Sequence, residues 1–171
     1  MKNTFLKPIF VIALAMMTAF TITFSIVSGQ ATTEGQSTDS INVPARPIVG
    51  VWRNTITLRN CQTGNQIATF QGLLTFHEGG TMSEFGGINP VLRSPGHGVW
   101  QASNPFHPTF AFTFLRFNAD GTLAGTQRVR SILNLALDGN SFQATSTVEV
   151  LDVNDNVVGM LCVTTMATRF Q

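Results

Sequence analysis

Thr109-Phe110-Ala111-Phe112-Thr113-Phe114-Leu115-Arg116-Phe117-Asn118-Ala119-Asp120-Gly121-Thr122-Leu123 is the stretch on which the fold turns. Phe110, Phe112 and Phe114 recur at every second position, the period of a strand, with Ala111, Leu115 and Phe117 on the opposite face. Asn118 to Gly121 then supplies residues suited to a tight reversal, and a second alternating run follows. Working outward, the same unit repeats around His77-Glu78-Gly79-Gly80, Asp138-Gly139-Asn140 and Asp152-Val153-Asn154-Asp155-Asn156. No helix-length periodic stretch interrupts it. The pattern predicts an all-β, up-and-down antiparallel sheet with strands near 50–60, 66–77, 81–86, 98–103, 109–118, 122–137, 141–151 and 157–169. An open sheet would leave two unpaired edges, and about eight strands is where closure leaves a small interior, so a closed barrel is expected. Gly125, inside the longest strand, is the expected bend.

Before this ladder the chain has a different character. Lys2 and Lys7 flank the start of an uncharged apolar run from Ile9 to Ile26, which ends at Ser28-Gly29-Gln30-Ala31. That is the form of an export signal, predicted over 1–30, and it directs the protein to the periplasm or outside the cell. An uncleaved anchor is the competing reading, because the run approaches the roughly 18 to 20 residues that cross a bilayer. No cysteine lies at the boundary to receive a lipid. A Thr/Ser/Gly/Gln/Pro-rich leader is expected over 31–47, and one barrel domain over 48–171.

Removing the signal removes both lysines and leaves arginines and acids in near balance. Lysine Schiff-base chemistry is then excluded for the mature domain, and no basic, aromatic-interleaved patch points to nucleic acid. Tyrosine is absent, so phenolic acid–base chemistry is excluded as well. The two cysteines, Cys61 and Cys162, fall at the end of the first strand and within the last, which closure makes neighbours. In an oxidising compartment a disulfide seam is expected there, with two buried free thiols as the alternative.

Gly50-Val51-Trp52 opens the first strand and Arg169 closes the last. The pair resembles the lipocalin (calycin) arrangement, in which a floor tryptophan is covered by an arginine from the end of the sheet. A guanidinium stacked on indole gains cation–π energy while it caps backbone carbonyls. The resemblance assigns Trp52 and Arg169 structural roles. A second Gly98-Val99-Trp100 after Ser94-Pro95-Gly96-His97 has no counterpart in ordinary lipocalins. It looks more like secreted bacterial barrels of lipocalin-like or allene-oxide-cyclase-like shape, a resemblance that implies small barrels, often oligomeric, which bind or cyclise apolar molecules. No catalytic residue matches position by position.

Phe70, Leu74, Phe76, Trp100, Phe110, Phe112 and Phe114 are the candidate interior lining for an apolar ligand. His97 and Arg128 are the candidate polar contributors, with Arg128 able to bind a ligand carboxylate if its face points inward. The parity of Leu123, Val129, Leu133, Leu135 and Leu137 favours the other reading, an outer cluster of Arg128, Arg130 and Glu149. His97 and His107 with Glu78 or Glu84 fit no established zinc spacing, and Glu78 and Glu84 are expected to face solvent, so neither metal nor cofactor is assigned. No nucleophile–base set, phosphate loop or dinucleotide fingerprint occurs.

Apolar residues on both faces of some strands suggest self-association, with an outer-membrane barrel as a weaker competitor lacking aromatic belts. Three functions remain open. One is a non-catalytic carrier of a small lipid-like or terpenoid molecule. Another is a cyclase or isomerase, requiring a buried ionisable group among His97, Arg128 and Glu149. The last is a solid, oligomer-forming structural barrel.

Overall fold

The computed structural model describes residues 48–171; the expected signal and leader lie outside them. Eight strands run in chain order, β1 (Gly50–Arg59), β2 (Gln66–Phe76), β3 (Thr81–Gly86), β4 (Gly96–Gln101), β5 (Thr109–Phe117), β6 (Leu123–Leu135), β7 (Ser141–Leu151) and β8 (Val157–Arg169). Each pairs antiparallel with the next, and β8 pairs with β1 from Trp52↔Arg169 to Arg59↔Cys162, so the sheet closes into an up-and-down barrel. At the coarse level this is consistent with a lipocalin-like barrel. The described residues also contain a short 3-10 helix, Pro90–Leu92, and no helix among them is long and apolar enough to cross a membrane.

All eight strands lie within two residues of the positions that alternation predicts at both ends. The fourth starts and ends two residues earlier than expected, because Gly96 already pairs with Glu84 and His97 with Ser83. Gly125 adopts φ 122°, a left-handed conformation that disfavours any side chain, and a Cβ there would collide with the Leu151 carbonyl oxygen. The β5–β6 register shifts beside it, between Arg116 and Phe117, which is the bulge that coils the long strand.

Strand direction gives the barrel two unlike ends. The start of β1 and the end of β8 meet at one, here called the floor, together with the turns at 77–80 and 136–140. The opposite end, the mouth, carries the loops at 60–65, 87–95, 118–122 and 152–156. The floor half packs Ile48, Trp52, Phe76, Leu133 and Phe142, all buried, around edge-to-face aromatic pairs, with Trp52–Phe142 centroids 4.9 Å apart and Phe76–Phe110 5.4 Å. The mouth half holds a smaller cluster of Ile56, Phe114, Val129, Val148 and Val163.

Cys61 and Cys162 form a disulfide across the closing seam at the mouth, with Cα atoms 5.0 Å apart. It bridges a separation of 101 residues, so on the chain-entropy account it restricts the unfolded chain by about 4 kcal/mol.

Candidate functional site in the barrel interior

Alternation decides which side chains can reach the interior. Along β5 it sends Phe110, Phe112 and Phe114 inward as a stack with successive centroids 6.3 and 6.4 Å apart. They form one wall of a cavity of about 150 Å³ in the mouth half, shared with Phe70, Leu74, Ile56, Val129, Val148 and Val163.

The lining also holds a polar cluster. Asn54 on β1 and Glu84 on β3 are buried, at 2% and 4% exposure, and Arg93 reaches in from the β3–β4 loop at 8%. Arg93 Nη2 donates to Glu84 Oε2, its Nε donates to the Ser94 carbonyl at 3.1 Å, and its guanidinium lies 3.7 Å from the Phe114 ring centroid. The cation is thus held by charge on one side and by a π face on the other. Burial pushes the Glu84 carboxyl above its ordinary value, and Arg93 pulls it back only in part. Asn54 Oδ1 is buried and has no hydrogen-bond partner among the described residues. Ser131 and Ser146 share a hydrogen bond of 2.6 Å on the same lining.

Three strand glycines make room for these groups. A Cβ at Gly72 would stand 2.7 Å from Asn54 Oδ1, one at Gly96 2.7 Å from Glu84 Oε2, and one at Gly86 would collide with Arg93 Nη1. Glycine within a strand weakens it, so its placement opposite each polar side chain marks a packed polar cluster.

Of the residues expected to bind a ligand, Phe70, Leu74, Phe110, Phe112 and Phe114 line this cavity. Phe76 and Trp100 sit in the floor cluster instead, where Trp100 Nε1 donates to the His77 carbonyl at 2.9 Å. His97 and Arg128 do not reach the interior. His97 is exposed on the outer face of β4, and Arg128 lies outside on β6, where it and Arg130 bond Glu149 at 3.2 and 2.9 Å. Strand parity is the reason, since Val129, Ser131 and Leu133 take the inward positions. Glu84, expected in solvent, is buried, because β3 turns Met82, Glu84 and Gly86 inward and leaves Phe85 46% exposed.

The histidines do not converge. His77 Nε2 meets Ser83 at 3.2 Å and His107 Nδ1 meets Asn134 at 2.9 Å, both on exposed positions. No group of three or more His, Cys, Asp or Glu is placed to hold a metal among the described residues.

At the floor, Trp52 is fully buried and donates Nε1–H to the Ile48 carbonyl at 2.9 Å. Arg169 lies 4.2 Å over its ring and donates to the Gly139 and Val49 carbonyls at 2.9 and 2.8 Å.

Asn54 and Arg93 escaped notice in the sequence. The signal that could have found them is the set of glycines at 72, 86 and 96, each out of place in a strand and each on the inward parity. Compared with known protein families, curated proteins and solved structures, the chain matches none.

Proposed function

We propose that this protein is an exported small-molecule binding protein whose ligand occupies the mouth half of the barrel. One observation carries the reading: a cavity of about 150 Å³ with an aromatic wall on one side and a buried polar cluster on the other. That combination of apolar surface with a few placed polar groups is what ligand pockets share. The volume is below the roughly 300 Å³ at which drug-sized pockets begin, so the ligand is compact and not a long-chain lipid. The disulfide is in keeping with export.

The outer face favours a watery setting over a bilayer. β6 turns Arg128 and Arg130 outward near its middle, and an arginine facing lipid at mid-membrane costs about 2–4 kcal/mol. Val99, Ile132, Met160 and Met166 are exposed on the same surface, and they are the residues on which self-association would rest.

A catalytic reading has one specific observation in its favour. The buried ionisable group it requires is present as Glu84, whose raised proton affinity suits an acid or base, and not as His97, Arg128 or Glu149.

Native mass spectrometry of the non-reduced protein from its secreting host tests the proposal. A co-purified small adduct on the protein mass is the expected result. An unliganded dimer or trimer would overturn it in favour of a structural assembly.

A further inference from the structure

We propose that the ligand is a neutral, single-ring molecule carrying a hydroxyl or N–H donor, anchored on Asn54 and Glu84. The inference rests on the binding reading above and narrows it to a chemical class.

The geometry begins with the glycines. Gly72 and Gly86 are direct cross-strand partners, and the Asn54 amide oxygen lies over the first while Glu84 Oε1 lies beside the second, 3.1 Å from the position of a Cβ there. The amide and the carboxylate therefore flank paired positions of adjacent strands, and both side chains line the cavity. Arg93 takes the other carboxylate oxygen, so Oε1 keeps its capacity to accept. Asn54 Oδ1 is buried without a donor, and such a group costs free energy until a donor reaches it. A small movement of the amide into the cavity would allow a bound donor to satisfy it.

Charge and shape complete the class. The Glu84 and Arg93 charges are already paired, so the cavity offers no net charge to offset the desolvation of an ionic ligand. The stacked Phe110, Phe112 and Phe114 present a flat apolar wall. About 150 Å³ is the size of cavity that holds one benzene-sized ring.

Phenol, benzene and benzoate, matched in ring size, separate the possibilities when titrated into the full chain with its disulfide intact. Backbone amide shifts at Ile56, Phe114 and Val148 report interior binding. Phenol is expected to bind about tenfold or more tightly than benzene, the worth of one satisfied buried hydrogen bond, and benzoate more weakly than phenol. Asn54→Ala is expected to remove most of the preference for phenol while leaving benzene binding. Equal binding of phenol and benzene would overturn the polar anchor and leave the container reading standing. Tightest binding of benzoate would overturn it by making Arg93 the anchor. No binding by any of the three would overturn both readings. The comparison within the unaltered protein decides the matter even if the variant fails to fold.

Discussion

The two ends of the barrel solve the same packing problem in opposite ways. At the floor, Trp52, Phe76, Leu133 and Phe142 fill the interior, and Arg169 stays at the rim to seal it with cation–π contact and two carbonyl bonds. At the mouth an arginine is drawn inside, three glycines replace side chains, and a void remains. The floor is built for stability. The mouth forgoes apolar packing to hold a carboxylate, a guanidinium and an unpaired amide, an arrangement stability alone does not require.

Substitutions at the two ends should therefore differ in kind. Trp52→Ala is expected to have the largest effect, about 5 kcal/mol in chemical denaturation, because it removes a fully buried indole, its bond to Ile48 and the seat of Arg169. A loss below about 2 kcal/mol would mean that the floor is no better packed than the mouth.

Replacing both Cys61 and Cys162 with serine is next, at about 4 kcal/mol in the same measurement. Its effect should fall on the unfolded chain, so the interior binding of small rings should persist under conditions where the variant remains folded.

Arg93→Met tests whether the mouth polar cluster is a coupled unit. Left alone with a buried carboxylate, the variant should lose about 3 kcal/mol, and adding Glu84→Leu should recover most of it. Additive losses in this double-mutant cycle would dissolve the unit.

A smaller effect should appear in the pH dependence. The folded proton affinity of Glu84 is raised above the unfolded one, so its contribution favours folding at low pH. That contribution is complete below the ordinary carboxylate value and is lost as pH rises through the raised one. Glu149, held down by Arg130 and Arg128, and Asp120 and Asp152, held down by hydrogen bonds from Thr122 and Asn156, act in the opposite sense. The difference between the unaltered protein and Glu84→Gln isolates Glu84, and should move toward the unaltered protein as pH falls through that window. A flat difference would show that Arg93 fully offsets burial.

Smallest of all, Glu149→Ala should produce only a slight loss in chemical denaturation, fading in salt, because Arg128 and Arg130 are about half exposed.

The barrel was legible in the sequence because alternation and turn residues are local signals. Phe110, Phe112 and Phe114 declare their strand without reference to any other part of the chain, and the disulfide follows from closure once strand order is known. The polar cluster was not legible because it depends on side chains meeting across strands. Glu84 alternates with Phe85, so composition alone turns the phenylalanine inward and the acid outward. Only the long-range pairings of β3 with Gly72 and Gly96, and a loop arginine that stacks on Phe114, make the opposite parity favourable. The outward position of Arg128, by contrast, was legible from parity, since its neighbours Val129 and Leu133 take the interior.

Closure of β8 on β1 also places Ile48 and Phe170 together at the floor, where the Phe170 amide bonds the Val51 carbonyl. A reporter, an affinity handle or a solid support attached through either end of the domain would thus be joined at the sealed face. The opposite opening would stay unobstructed, so the molecule can be immobilised in one orientation without engineering a new attachment point.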